Sequence, residues 1–369
     1  MAYGNYPDLS DVKRILVIKM RHLGDVLLTS PLFTNLKKAI PGAAIDAFIY
    51  KDSVPMLDGH PAISDYLLYD RDWKKLPFLK KVGKEIGLLR EIRSRNYDLV
   101  INLTEGDRGA IAAMVSKAKY RVGFDPKRSA LLNKRKAFTH IVKSCPHPRH
   151  TVERQLDVLR KIGIFPTPEE RDLHLYIPDE TKHKVAKMLQ QEEIKPGHYI
   201  LIHPVSRWKF KCLSTQQIAS LMSALHERGM RLVMSSGPDK EEIAMVEEIL
   251  SLAPHVPVLN CAGKLTLKEL SALIALSRAL ICVDSVPLHI ASATKTPVVV
   301  MFGPTSDQNW GPWMHPAAKV VARAFSCRPC YQDGCGGSKK SDCLLQIPQN
   351  AILAALDEVM AERSQLIVI

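Results

Sequence analysis

Short apolar runs alternate along this chain with stretches whose apolar residues recur at helical spacing, and most of the apolar runs end in a polar cluster. The clearest case is LICVDSVPLHIASATKTPVVVMFGPT, residues 280–305. Ala279–Val283 reads as a buried parallel strand, broken by Asp284 and Ser285. Residues 288–293 have the pattern of a short helix, with Pro287 near its first position, where a missing N–H costs nothing. Thr296 and Pro297 end that helix, and Val298–Phe302 is a second buried strand running into Gly303-Pro304-Thr305.

The first half repeats the pattern. Ile15-Leu16-Val17-Ile18 is a strand that runs into Lys19-Met20-Arg21-His22-Leu23-Gly24-Asp25. A helix over 26–39 follows, and Pro31 moves its proper start to Thr29 or Ser30. Residues 44–49, 66–69, 98–103 and 120–124 read as further strands, and the third of these ends in Thr104-Glu105-Gly106-Asp107-Arg108. Residues 152–162 predict an amphipathic helix closed by Gly163. In the second half Tyr199–His203 is a strand that ends in Pro204-Val205-Ser206-Arg207-Trp208-Lys209-Phe210-Lys211. Helices over 215–227 and 240–252 flank a strand at 231–235. Thr266 to Glu269 makes a capping box, and a last helix runs over about 349–363.

Prolines 166, 168, 178 and 196 separate the two series and place a boundary near 175–180. Two α/β domains are the expectation, because 369 residues exceed what one core usually holds. With parallel sheets facing each other, a cleft between them is the expected ligand site. Composition adds little, since 46% hydrophobic and 24% charged residues are ordinary for a globular chain. No run of 18 apolar residues occurs, and residues 1–9 lack the basic start and apolar middle of a signal peptide, so a cytoplasmic location is expected.

Charge changes the picture more. With 51 basic against 38 acidic residues the chain carries +13, which favours a polyanionic partner: nucleic acid, an anionic membrane face or a phosphorylated substrate. The basic residues are dispersed and no nucleic-acid-binding signature is present, so no nucleic-acid partner is expected. A nicotinamide enzyme is equally disfavoured, because no GxGxxG with a distal acid appears.

Candidate chemistry gathers at the strand ends. Asp25 follows the first strand, as a catalytic carboxylate or as a helix N-cap. The loop 207–211 suits a diphosphate, with Ser206 as hydrogen-bond donor, unless Lys209 and Lys211 are merely solvated. Asp284, Ser285 and His289 surround a helix start, which is either an anion site or an ordinary capped turn. In WKKLPFLKKVGKEIGLLREIRSR, residues 73–95, Phe78, Leu79, Val82, Ile86, Leu89 and Ile92 recur at helical spacing, with Lys74, Lys80, Lys81 and Lys84 among the basic residues between. The segment is a surface helix, or a basic, aromatic-flanked face for anionic lipid head groups or an anionic acceptor. Finally, Cys327, Cys330, Cys335 and Cys343 lie within 17 residues and could hold a structural zinc or only order a loop.

Three stretches carry a resemblance: KMRHLGDVLLTSPL (19–32), the basic loop after YILIHP, and VDSVPLHIASATKTPVVVMFGPT (283–305). Together with the cysteine-rich tail they resemble the bacterial lipopolysaccharide core heptosyltransferases. The resemblance implies a GT-B glycosyltransferase with two facing Rossmann-like domains. Residues 1–178 would bind the acceptor and 179–347 the ADP-heptose donor, with a helix in 348–369 crossing back to the first domain. It implies inverting transfer of heptose to the inner core, with no cofactor required. Under the resemblance Asp25 is the general base, and Lys211 is the phosphate-binding lysine, with Lys209 as fallback. Ser206 matches a phosphate-contacting hydroxyl. Asp284, Ser285 and His289 match the family's Asp-Thr/Ser-Gly-x-x-His signature, with Val286 where the glycine stands. Leu213 occupies the position of a family tryptophan. These two departures make the chain most similar to members that add a side-branch heptose to the second core heptose. An earlier core step and another nucleotide-sugar donor remain the alternatives. An acceptor bearing phosphates and carboxylates at the cytoplasmic face of the inner membrane fits the positive charge.

Overall fold

The computed structural model describes residues 6–126 and 134–366. The chain divides into two compact units, Met1–Tyr176 and Ile177–Ile369. The first runs β1 (Arg14–Lys19), α1 (Leu23–Leu27), α2 (Ser30–Ala39), β2 (Ala44–Tyr50), β3 (Asp65–Tyr69) and α3 (Phe78–Ser94). It continues with β4 (Leu99–Asn102), α4 (Asp107–Ser116), β5 (Tyr120–Phe124), β6 (His140–Val142) and α5 (Thr151–Arg160). Its sheet has the order β3-β2-β1-β4-β5-β6 and every pairing is parallel. Leu16, Ile18, Phe48 and Val100 are buried in its core with Ile92 of α3.

The second unit begins with α6 (Asp179–Gln191), β7 (Tyr199–His203), α7 (Thr215–Glu227), β8 (Arg231–Met234), α8 (Lys240–Leu252), β9 (Val258–Asn260) and α9 (Leu267–Ala275). There follow β10 (Ala279–Val283), α10 (Val286–Thr294), β11 (Val298–Phe302), α11 (Asp307–Trp310), β12 (Ala318–Ala322), α12 (Asp342–Leu345) and α13 (Gln349–Leu366). Its order, β12-β11-β10-β7-β8-β9, is the same as the first sheet's when read from the other edge. Strands β7, β10 and β11 are buried along their whole length, which explains their unbroken apolar sequence.

Two expectations change. Within the stretch 26–39 the main helix, α2, starts at Ser30 as Pro31 implied, and what was not foreseen is the separate short helix α1 over Leu23–Leu27 before it. The last helix, expected to cross to the first domain, packs on β10, β11 and β12 of its own unit. Ile352, Leu356 and Val359 are buried in that unit's core, so its apolar face is already occupied there.

In an order of this kind the parallel strands are added outward in opposite directions from the first and fourth strands, and ligands bind in the crevice beyond the carboxyl ends of that pair. Those points are β1/β4 in the first unit and β7/β10 in the second.

Candidate functional site

In the first unit β1 delivers Lys19, buried, and α1 carries Asp25 in its first turn, also buried. Asp25 is not the helix cap: His22 holds that position. Its carboxylate instead faces the Lys19 ammonium at 3.5 Å and the Arg21 guanidinium at 4.0 Å. Burial is the main influence on Lys19 and pulls its pKa down, opposed by the Asp25 charge. With its amide oriented to satisfy both neighbours, Gln155 of α5 accepts from Lys19 Nζ at 3.3 Å and donates to the Leu28 carbonyl at 3.1 Å. The loop after β4 joins here, since Thr104 Oγ1 accepts from the Met20 amide at 2.8 Å.

Beside this loop a pocket of about 610 Å³ is lined by Arg21, Tyr50, Tyr69, Glu85, Leu88 and Arg108, among others. Arg108 lies 4.0 Å over the Tyr69 ring, and Arg71 lies 4.0 Å over Tyr50. The Tyr69 hydroxyl donates to Glu85 at 3.0 Å and accepts from Arg108 at 3.0 Å, and burial, chiefly, raises its pKa. The pocket therefore offers the guanidinium groups of Arg21 and Arg108 and aromatic faces alongside the carboxylates of Glu85, Glu105 and Asp107, a surface suited to a polar sugar. Lys74, Lys80, Lys81 and Lys84 are not in its lining; α3 turns Glu85, Leu88 and Leu89 to it instead.

In the second unit the loops after β7 and β10 are joined by an ion pair. Lys211 Nζ donates to Asp284 Oδ2 at 2.7 Å, and Thr305 Oγ1 donates to the same oxygen at 2.7 Å. Both members of the ion pair are largely shielded from solvent, with side-chain exposures of 17% and 6%. Asp284, a puzzling neighbour for an anion, thus holds the lysine. Lys209 points elsewhere and pairs with Glu241 at 3.0 Å, well exposed. Ser206 is buried, and its hydroxyl accepts from the Trp208 amide at 3.4 Å. Leu213, where a tryptophan was expected, is buried in the apolar core.

Ser285 is the N-cap residue of α10, but its hydroxyl donates back to the Val283 carbonyl at 3.2 Å and caps no helical amide. The amides of the first turn of α10 therefore have no side-chain cap, and they carry the positive end of the helix dipole. Val286 opens the helix with negative φ, so this turn has no need of glycine. His289 is buried one turn on.

Of the two readings of the cysteine cluster, a zinc site or a loop-ordering group, the structure gives the first no support. Among the described residues no group of three or more His, Cys, Asp or Glu side chains is placed to hold a metal ion. Cys343 is buried on α12, Cys330 is half-buried, and Cys327 and Cys335 are exposed, with the Cys335 sulfur accepting from the Asp342 amide at 3.5 Å. Sequence reasoning also gave no role to Thr305 or Thr104, although both follow a strand end that it had identified.

Comparison with known proteins matches residues 86–340 to glycosyltransferase family 9 (heptosyltransferase). Lipopolysaccharide heptosyltransferase 3 of Escherichia coli (strain K12) is 34% identical over 349 residues, covering 93% of this chain and 97% of that protein. Lipopolysaccharide heptosyltransferase 1 of the same strain is 25% identical over 306 residues, covering 79% of this chain and 88% of the relative. The structure of E. coli ADP-heptose lps heptosyltransferase II superposes with a TM-score of 0.75 at 19% identity, covering 95% of this chain and 99% of that one, and so shares the fold.

Proposed function

The chain belongs to glycosyltransferase family 9 (heptosyltransferase), with the GT-B fold class, and from that premise we propose that it is a heptosyltransferase III. On this reading it moves L-glycero-D-manno-heptose from ADP-heptose to the second heptose of the lipopolysaccharide inner core, with inversion, at the cytoplasmic face of the inner membrane. The greater identity to heptosyltransferase 3 than to heptosyltransferase 1 favours this step over the first.

The observation that carries the reading is that each unit has a charged, largely buried arrangement at the switch point of its sheet, and the two are chemically different. The first unit has a carboxylate, Asp25, flanked by two cations. The second has a lysine held by a carboxylate, near an uncapped helix start. A single displacement with inversion needs those two functions. Asp25 takes the proton from the acceptor hydroxyl as its oxygen attacks the anomeric carbon. Lys19 and Arg21 hold that carboxylate in place through their ion pairs. On the donor side Lys211, Ser206 and the first amides of α10, with Ser285 and Val286 at its start, bind the diphosphate and stabilise the charge that grows as it leaves. His289 lies buried one turn further along the same helix. The pocket at Arg21 and Arg108 takes the phosphorylated acceptor.

The test is ADP release with purified protein, ADP-heptose and core acceptors carrying no, one or two heptoses. Turnover on the two-heptose acceptor alone supports the assignment. Turnover on a shorter acceptor moves the protein to an earlier step. Donor binding confined to a uridine-diphosphate sugar overturns the heptose reading.

A further inference from the structure

We propose that the amino-terminal tip of α3 is a docking surface for an anionic lipid bilayer. This deepens the reading above, whose acceptor is lipid-anchored, and assigns the contact to named residues. Helix α3 is 17 residues long, yet Ile92 near its far end is its one fully buried residue. Phe78 and Leu79, the first two residues, are 76% and 81% exposed. Between residues 73 and 84 the chain has five lysines and no carboxylate. Lys75 pairs with Asp72, while among the described residues Lys74, Lys80, Lys81 and Lys84 have no such partner.

The electrostatics at this end run against a helix in water. Pro77 provides no side-chain cap and the first turn has no acid, so lysines crowd the positive end of the dipole. A layer of lipid phosphates supplies the missing negative charge, and the two large apolar side chains between the lysines insert below it. Trp73 is not part of the tip, because its ring packs 4.8 Å from Tyr69. The other end of α3 is fixed: Arg95, its C-cap, donates to buried Asp46 at 2.8 Å. The same helix gives Glu85, Leu88 and Leu89 to the arginine-lined pocket, so docking through the tip sets that pocket beside the bilayer surface.

Co-sedimentation of the full chain with phosphatidylcholine vesicles, with and without phosphatidylglycerol, tests this. Partition is expected to be at least ~10-fold stronger onto the anionic vesicles and to fall steeply in ~0.5 M salt. Phe78→Ser/Leu79→Ser, and separately Lys80→Glu/Lys81→Glu, each lower it by ~10-fold or more. Phe78, Leu79 and Lys80 are exposed and Lys81 is half-buried, and an unchanged melting temperature shows the variants to be folded. Phe78→Ser/Leu79→Ser keeps wild-type turnover on a delipidated core oligosaccharide and loses it on acceptor embedded in vesicles. No binding to anionic vesicles, or equal binding by the variants, overturns the proposal. Vesicle binding without turnover on any heptosyl acceptor keeps the docking surface and removes the transferase reading.

Discussion

Lys209 and Lys211 are two residues apart, and their partners give them different expected roles. Lys211→Met removes a charge-assisted contact of about 1.5–3 kcal/mol, so ADP affinity measured by calorimetry is expected to fall by at least ~10-fold. Lys209→Met breaks only an exposed pair with Glu241 and should leave affinity within ~2-fold. Equal losses in the two variants contradict the assignment. For Asp25→Asn, loss of a general base predicts a fall in kcat of ~10²–10⁴ with ADP-heptose binding retained. A variant that keeps its turnover excludes the base role. At this scale the sequence exposed the candidates but not their use. Asp284 and Lys211 are 73 residues apart, and only the parallel pairing of β7 with β10 brings them within 2.7 Å. Asp25 lies so close to its strand end that its place could be read directly, whereas its contact with Lys19 depends on how α1 turns back.

Buried Asp46 of β2 shows how elements are tied together. It accepts from Arg95 beyond α3, from Arg14 of β1 at 3.3 Å and from the Tyr97 hydroxyl at 2.6 Å. Burial, foremost, and then the Asp46 hydrogen bond raise the Tyr97 pKa well above its usual range. Asp46→Ala leaves the Tyr97 hydroxyl and Arg14 without this acceptor and Arg95 with only Asp65 and Glu91, and a loss of ~3–5 kcal/mol in urea unfolding is expected. A loss below ~1 kcal/mol would show that α3 does not depend on this anchor. The elements that sequence revealed are those with a strong period. Strands β1, β7, β10 and β11 are continuous apolar runs because both their faces are covered. Strands β6 and β9 have three residues each, and β12 lies half-exposed at a sheet edge, so none carries a readable run. Helix α6 buries only Val185 and Leu189, and α4 is rich in alanine and glycine, so neither has a distinct apolar stripe.

Across the whole molecule, three histidines shielded from water, His60 and His203 buried and His315 half-buried, set a common response to acid. Desolvation is the leading cause in each, lowering His60, His203 and His315 from 6.5 to about 4. Their ordinary values in the unfolded chain are higher, so between pH ~6.5 and ~4 the unfolded state binds protons that the folded state refuses. Stability is therefore full above this window and lost as the pH falls through it, by up to about 3 kcal/mol per histidine near pH 4. Urea midpoints at pH 7 and pH 4.5 measure the loss, and His203→Gln is expected to flatten it. A slope unchanged by that variant excludes His203 as a source. The two-unit architecture was legible because both halves show the same alternation, but the home of α13 was not, since its sequence does not say which sheet it covers. The Lys211–Asp284 pair has one more consequence, for life in a crowded cell. A buried lysine with no carboxylate beside it would be occupied by whatever small anion is most abundant, inorganic phosphate above all. Because Asp284 already shares that ammonium, a bare phosphate gains little by entering. Under the proposed donor role, only a ligand that also brings a nucleoside and a sugar would gain enough further contact to compete, and the pairing would then act as a filter against the commonest anions around it.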